Sequence, residues 1–260
     1  MIKKWILAAT FVATMDIQAQ AEIQISHCLL ECPSGTQPSN ELVVREIYAL
    51  SNNGVTKFAD WVAYRVTKET IGNTASLDRD WKPDPLLDPA VTLEPKNPND
   101  YKGSNSHPDL RTDRGHQAPM ASFAGTIYWR TTNYLSNITP QRANLNQGPW
   151  KALEEAVRHA VHHDGQLFVV TGPVYERTMT SLPHADESHQ VPSGYWKVIS
   201  TAGGKMAAFF MDQDTARSAD YCANEFKTTL QDIEQKAGIE VFPSAPANWP
   251  TGSLRTSLGC

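Results

Sequence analysis

The chain has 260 residues, 40% of them hydrophobic and 20% charged, and its formal net charge is −5 at pH 7. This length allows a sizeable core, and because no low-complexity linker or repeat divides the chain, one domain of mixed α and β structure is favoured. The acidic net charge argues against a protein that binds nucleic acid tightly through a broadly basic surface.

The N-terminus has the pattern of a signal peptide. Lys3 and Lys4 precede an apolar run, and Ala19-Gln20-Ala21 supplies the small residues that a signal peptidase requires. Polar residues interrupt the run, which is therefore shorter than the roughly 20 apolar residues of a transmembrane anchor. We predict that residues 1–21 are removed, that residues 22–260 form the mature domain, and that the protein is secreted to the periplasm or the extracellular space without membrane attachment.

The N-terminal half of the mature chain predicts a hairpin and then a long loop. Segments 41–50 and 59–66 are rich in branched and aromatic residues and are separated by Asn52-Asn53-Gly54, which is typical of a β-hairpin. Residues 82–109 include six prolines. Because proline disrupts both helices and sheets, we predict a long surface loop there.

The C-terminal half predicts alternating helices and strands. A helix should begin near Gly148-Pro149, where proline suits the first helical turn, and continue through apolar positions to Val161. Residues 167–171 are nearly all apolar, which indicates a central strand. The remaining predicted elements are strands at 195–200 and 206–211 and a last helix at 214–237.

The four cysteines are even in number, which in an exported protein favours two disulfides. A zinc site is disfavoured because neither a second closely spaced cysteine pair nor a paired histidine tract accompanies them. The sequence alone leaves three pairings. Proximity favours Cys28 with Cys32, which would leave Cys222, placed in the predicted last helix, to bind Cys260.

Positive charge is concentrated in the middle of the acidic chain. Residues 111–151 contain one acid, Asp113, and five basic residues, which gives a local charge of +4: Arg111, Arg114, Arg130, Arg142 and Lys151. A confined basic site fits an enzyme that must release a polyanion. The alternative is a set of scattered, solvated arginines.

Two segments carry the chemistry. Arg111–Pro119 places an arginine and His116 on a short, glycine-bearing segment, a combination that suits phosphate chemistry. Asn144–Glu154 has the pattern of a loop that enters a helix, and it offers an amide oxygen and a carboxylate. Together they predict a metal-assisted nuclease.

These segments, together with Thr132–Gln141, Trp61–Tyr64 and Arg79–Lys82, resemble the DNA/RNA non-specific endonucleases that carry the ββα-metal motif, in particular the secreted Serratia type. The likeness extends from about residue 28 to residue 260. It implies an α+β single domain with a central antiparallel-rich sheet, flanking helices and a ββα-metal active-site motif. It also implies disulfides Cys28–Cys32 and Cys222–Cys260, and it makes a homodimer plausible.

The resemblance assigns roles to six residues. It implies that His116 is the general base, that Asn146 is the only direct protein ligand of Mg²⁺, with Mn²⁺ as the alternative ion, and that Glu154 orients water bound to the metal. The other three roles concern charge and support. Arg114 would lie near the phosphate, Arg79 would stabilise the developing charge, and Asn137 would be a supporting active-site amide.

The same residues permit this chemistry on physical grounds. Neutral imidazole, with a reference pKa of about 6.5, can take a proton from water near neutral pH. Together with this chemistry, the resemblance implies Mg²⁺-dependent hydrolysis of single- and double-stranded DNA and RNA to 5′-phosphorylated oligonucleotides. Two alternatives remain: a phosphodiesterase of the same fold that acts on small nucleotides, and a non-catalytic exported binding domain. The presence of His116, Asn146 and Glu154 together argues against the second alternative.

Overall fold

The computed structural model describes residues 25–93 and 100–260. The predicted signal peptide, its cleavage site after residue 21 and part of the predicted proline-rich loop lie outside the described residues. Within the described ranges, no helix is long and apolar enough to cross a membrane.

A large sheet forms the centre of the fold. Within the described residues it has eight strands: β1 (Glu41–Val44), β2 (Tyr48–Asn53), β3 (Phe58–Val66), β6 (Leu167–Val174), β7 (Gly194–Ser200), β8 (Lys205–Asp212), β9 (Lys227–Thr228) and β10 (Gly252–Ser253). The order across the sheet is β1-β2-β3-β6-β7-β8-β10, and β9 also pairs with β8. The pairs are antiparallel except for β10 with β8, so the predicted α+β fold with a central antiparallel-rich sheet is confirmed.

Helices cover both faces of the sheet. The helical segments are α1 (Ala143–Leu145), α2 (Lys151–Asp164) and α3 (Leu230–Ala237), and 3₁₀ turns lie at Pro89–Val91, Met120–Ser122, Trp129–Asn133, Leu135–Asn137 and Asn224–Phe226. Successive side chains of a strand point to opposite faces. Tyr195 therefore packs in the α2 cluster with Val157, whereas its neighbour Trp196 packs in the α3 cluster with Ile233.

A second, two-stranded sheet leads directly into α2. It consists of β4 (Thr112–His116) and β5 (Ile138–Arg142), antiparallel, with His116 opposite Ile138. A Cβ on Gly115 would lie 2.6 Å from the Cβ of Gln141, so this close strand pairing requires glycine. Strand β4, strand β5 and the helix that follows form the predicted ββα unit.

Most predicted elements are confirmed, with shifted boundaries. The hairpin is β2 with β3, but the predicted first strand is two strands, because the chain leaves the extended conformation between Val44 and Tyr48. The strands predicted at 167–171, 195–200 and 206–211 are β6, β7 and β8. In the described part of 82–109, the regular structure is limited to the 3₁₀ turn at Pro89–Val91 and a bridge from Lys82 to Tyr134.

The predicted last helix, 214–237, is wrong over most of its length, since α3 begins only at Leu230. A capping box fixes this start: the Thr229 side chain accepts a hydrogen bond from the Asp232 backbone N–H, and the Asp232 side chain accepts one from the Thr229 N–H. The preceding residues are extended in β9. Cys222 therefore lies in a turn, not in a helix.

The four cysteines form two disulfides. Cys28 is bonded to Cys32 and Cys222 to Cys260, with S–S distances of 2.01 and 2.06 Å. The predicted pairing is confirmed, and no described cysteine is free. The second bridge ties the C-terminal residue to the segment that precedes α3.

Candidate active site

The ββα unit and the loop before β4 enclose a cavity of about 530 Å³. Its lining includes predicted site residues and other charged or aromatic residues: Arg79, Trp81, Tyr101, Asp113, Arg114, His116, Asn146, Lys151, Glu154 and Arg158. The fold thus brings His116, Arg114, Arg79, Asn146 and Glu154 to one cleft. It does not bring Asn137 to the cleft lining.

His116 is the last residue of β4, and a hydrogen bond fixes its ring. Its Nε2 lies 3.0 Å from the Oδ1 of Asn133. The Asn133 amide is oriented in turn, because its Nδ2 donates to the backbone oxygen of Asp78 over 3.3 Å. This network assigns the proton to Nε2 of His116 and leaves Nδ1 as the acceptor nitrogen. Asn133 is a site residue that the sequence motifs contain but did not reveal.

The surroundings of His116 keep its imidazole neutral. Burial lowers its pKa, the hydrogen bond that it donates to Asn133 raises it, and the positive charge of Arg79 lowers it, for a net pKa of about 4. A neutral imidazole at pH 7 can accept a proton. The ring of Trp81 also packs against it, with ring centroids 5.2 Å apart.

Asn146 follows α1, in a turn that spans Asn146–Trp150, and Asp113 holds its side chain. Its Nδ2 donates to Oδ2 of Asp113 over 2.9 Å, and the neighbouring Gln147 Nε2 donates to the same oxygen over 2.7 Å. Asn105 Nδ2 donates to the other oxygen of Asp113 over 2.8 Å. With its nitrogen engaged, Asn146 keeps Oδ1 available to a cation. The sequence showed Asp113 only as the single acid of the basic stretch.

A close backbone contact shapes the turn between Asn146 and α2. Gly148 has non-helical angles, φ −106° and ψ −116°, inside the Asn146–Trp150 turn. A Cβ at this position would lie 2.4 Å from the backbone oxygen of Arg217. The turn therefore needs glycine to seat Asn146 and the first turn of α2, which carries Glu154, on the same cleft.

Glu154 is flanked by positive charge. Burial raises its pKa, whereas the charges of Lys197 and then Arg158 lower it. Arg158 lies one helical turn beyond Glu154 and lines the same cavity. Its Nη1 is buried and has no hydrogen-bond partner within the described part of the chain, which suits it to an anionic ligand. The i, i+4 spacing from Glu154 is the sequence signal that could have identified Arg158.

Lys197 lies behind Glu154, in the centre of β7, with 0% exposure. Its Nζ donates to the hydroxyl of Tyr64 over 3.2 Å and lies 4.5 Å from the centre of the Trp150 ring. Burial lowers the pKa of Lys197 to about 8, and the charge of Glu154 opposes this decrease. The group is therefore protonated at neutral pH. The sequence signal for it was a lysine within the predicted strand 195–200, among aromatic and branched residues.

Arg114 and Arg79 reach the cleft from different elements, strand β4 and the preceding loop. The guanidinium of Arg114, on β4, lies 5.6 Å from the centre of the Trp81 ring and 5.1 Å from that of Tyr101, so it is held against both rings at the cleft. Arg79 is exposed and lines the cleft from the preceding loop. Both arginines can therefore approach an anion in the cavity.

Asn137 is buried, with 0% exposure, and both ends of its amide are engaged. Its Oδ1 accepts from the Ala118 N–H over 2.8 Å, and its Nδ2 donates to the backbone oxygens of Ala118 and Thr132. These bonds fasten the segment that follows His116 to the 3₁₀ turns that precede β5. Asn137 is thus placed to support the site and not to contact a ligand in the cavity.

In the part of the chain that the structure describes, one group of three acidic residues could hold a metal ion: Asp100, Asp186 and Glu187, with ligand atoms within 4.8 Å of one another. None of the three belongs to the cleft lining. The cleft lining itself offers hard oxygen donors, among them those of Asn146, Asp113 and Glu154.

The chain is similar to known nucleases along most of its length. A sequence model of the DNA/RNA non-specific endonuclease family matches residues 29–248. A nuclease of Serratia marcescens is 43% identical over 249 residues, which cover 94% of this chain and 90% of that protein. Human mitochondrial endonuclease G is 27% identical over 229 residues, which cover 83% of this chain and 73% of that protein.

The fold is shared with a solved structure. A chain in the crystal structure of the EndoG/EndoGI complex superposes with a TM-score of 0.64 at 22% identity, covering 82% of this chain and 89% of that chain. This likeness concerns the fold alone, whereas the sequence matches span most of the protein. The chain belongs to the DNA/RNA non-specific endonuclease family.

Proposed function

We propose that this protein is a secreted, Mg²⁺-dependent endonuclease that hydrolyses phosphodiester bonds in single- and double-stranded DNA and RNA and leaves 5′-phosphorylated oligonucleotides. One observation carries the proposal. Neutral His116, the open amide oxygen of Asn146 and three arginines face a single cavity.

His116 is the proposed general base. Its Nδ1 takes a proton from a water molecule as the water oxygen attacks phosphorus in line with the 3′ oxygen. The bond between phosphorus and the 3′ oxygen breaks, and the 3′ oxygen takes up a proton from solvent. The hydrogen bond from Nε2 to Asn133 holds the ring in place and supports the positive charge that His116 acquires.

The cleft residues fit a divalent cation. Asn146 Oδ1 would be the direct protein ligand, because Asp113 already engages the amide nitrogen, and Glu154 would hold the ion's water shell. Few protein ligands and hard oxygen donors suit Mg²⁺, with Mn²⁺ as the alternative. When bound, the ion would supply positive charge beside the scissile phosphate.

The arginines would stabilise the charge that grows on the phosphoryl oxygens. Arg114 is held against two aromatic rings, Arg79 approaches from the loop, and Arg158 has a buried nitrogen with no partner among the described residues. Asn137 would act as a supporting amide behind His116.

The proposed breadth of substrates follows from the source of the nucleophile. An external water makes the 2′ hydroxyl unnecessary, so DNA and RNA should both be cut. Contacts to phosphate carry no direct base information, so sequence preference should be weak. The two disulfides support export to an oxidising compartment, with residues 22–260 as the mature domain. A homodimer stays a prediction.

The test compares wild-type protein with His116→Ala on plasmid DNA, RNA and a dinucleotide, with Mg²⁺ or with a chelator. The expected loss is at least about a hundredfold, the usual contribution of a positioned general base. His162→Ala, an exposed histidine at the end of α2, is the matched control and should keep wild-type activity. Wild-type rates for His116→Ala would contradict the mechanism, and cleavage of the dinucleotide alone would contradict the substrate class.

A further inference from the structure

Lys197 is a charged residue in an unusual place. It lies in the middle of β7, all seven residues of which are buried, and it has no exposed surface. Lysine is almost never fully buried without a partner, because removing an ammonium group from water is strongly unfavourable unless an opposite charge compensates. The position therefore requires a counter-charge.

The direct contacts of Lys197 do not supply that charge. Its Nζ donates to the neutral hydroxyl of Tyr64 over 3.2 Å and lies over the ring of Trp150. The acidic group whose charge acts on it is Glu154 of α2. Lys197 shares the α2 face of the sheet with Tyr195, since alternate residues of a strand point the same way.

Lys197 and Glu154 act on each other's charge, but only Glu154 lines the cleft. The lysine therefore lies on the core side of the carboxylate. Arg158, one turn further along α2, also acts on Glu154, and Glu155 opposes both. Arg158 nevertheless retains a buried Nη1 for which residues 25–93 and 100–260 supply no partner. Lys197 compensates the charge of Glu154 from the core side. Arg158 therefore stays available to an anion in the cleft.

We propose that Lys197 is a positioning residue of the active site: its ammonium group, held by Tyr64 and Trp150 behind α2, keeps Glu154 ionised and directed toward the cleft. The inference rests on the proposed function, in which Glu154 holds the water shell of the cation. Lys197 itself touches neither the substrate nor the ion.

A double-mutant cycle on stability tests the charge pair without metal or substrate. Lys197→Met, Glu154→Gln and the double variant are compared by thermal unfolding at pH 7 in a chelator. Glu154→Gln leaves the buried ammonium group without a counter-charge, and Lys197→Met leaves the half-buried Glu154 with Arg158 alone, so each single change should lower the melting temperature by at least about 3 °C. The double variant should be at least as stable as Lys197→Met, because the second change removes the stranded charge.

The same variants test the consequence for the site. Lys197→Met should lower kcat by about 10- to 100-fold and raise the Mg²⁺ concentration at half-maximal activity, the usual effect of losing a partner behind a metal site. The double variant should be no less active than Glu154→Gln. Lys205→Met, an exposed lysine on β8, is the matched control and should leave both readouts unchanged.

Three results would overturn the inference: independent, additive losses in the double variant; wild-type kcat for Lys197→Met; or a higher melting temperature for Glu154→Gln than for wild type. The last decides the matter even if Lys197→Met fails to fold. An inactive wild-type enzyme would contradict the proposed function but not the unfolding cycle, which contains neither metal nor substrate.

Discussion

Asn133→Asp should move the acid limb of the activity profile to higher pH. The change replaces the amide that faces Nε2 of His116, 3.0 Å away, by a carboxylate of the same shape. An opposite charge favours the charged form of the imidazole, so the pKa of His116 should rise. Because the mechanism requires neutral His116, activity should be lost at a higher pH than in the wild type.

The magnitude follows from the burial of the pair. Asn133 is 1% exposed, so solvent screens the new charge weakly. A contacting opposite charge shifts a pKa by about 1 to 3 pH units, which would raise the acid limb from the wild-type value of about 4 to between about 5 and 7. If the acid limb of Asn133→Asp lies at about pH 6.5, its kcat/KM at pH 5.5 would be about tenfold below the plateau. The kcat/KM of the wild type would hardly change at that pH.

The assay is kcat/KM on plasmid DNA between about pH 3.5 and about pH 8.5, a range that includes the wild-type limb at about 4. Below a limb the rate falls by about one decade per pH unit, and kcat/KM is measured because it reports the pKa values of the free enzyme. Asn73→Asp adds the same charge to an exposed residue of the loop that precedes Arg79 and is the matched control. Its limb should hardly move, because solvent and salt screen an exposed charge. Coincident acid limbs for wild type and Asn133→Asp would refute the assignment of His116 as the base held by Asn133.

Further changes probe the metal, the turn and the cross-link. Glu154→Ala should raise the Mg²⁺ concentration at half-maximal activity by about 10- to 100-fold, and Asn146→Ala should raise it more; a smaller effect for Asn146→Ala would exclude it as the direct ligand. Gly148→Ala should lower kcat by about a hundredfold with circular dichroism unchanged, because the new Cβ, 2.4 Å from a backbone oxygen, displaces the turn; full activity would contradict this account of the turn. Replacing Cys222 and Cys260 by serine should lower the free energy of unfolding by about 4 kcal/mol, the loop-closure entropy for a separation of 38 residues; a loss below about 1 kcal/mol in denaturant titrations would contradict that estimate.

Elements with a strong local pattern were predictable. The apolar run at 167–171 belongs to β6, all eight residues of which are buried, because a central strand packs against neighbours on both faces. The last helix was not predictable in this way. Its start depends on the hydrogen bonds between Thr229 and Asp232, and the residues before it are held extended by pairing with β8.

The site residues also differ in whether a local sequence pattern identifies them. The motifs contain His116 and Asn146 because the segments that carry them are short and distinctive in sequence. Their partners are set by tertiary contacts. Asn133 reaches His116 across 17 positions, and Lys197 reaches Tyr64 across 133. Hydrogen-bond partners that distant in the chain leave no periodic signal in the sequence.

The chemistry of the product ends tests the central claim most directly. DNA and RNA digested with Mg²⁺ are analysed by kinase labelling and mass spectrometry. Attack by an external water that His116 activates, with departure of the 3′ oxygen, predicts 5′ phosphates and 3′ hydroxyls from both polymers. If RNA instead yields 2′,3′-cyclic phosphates and DNA stays intact, the nucleophile is the substrate's own hydroxyl and the proposed mechanism is wrong.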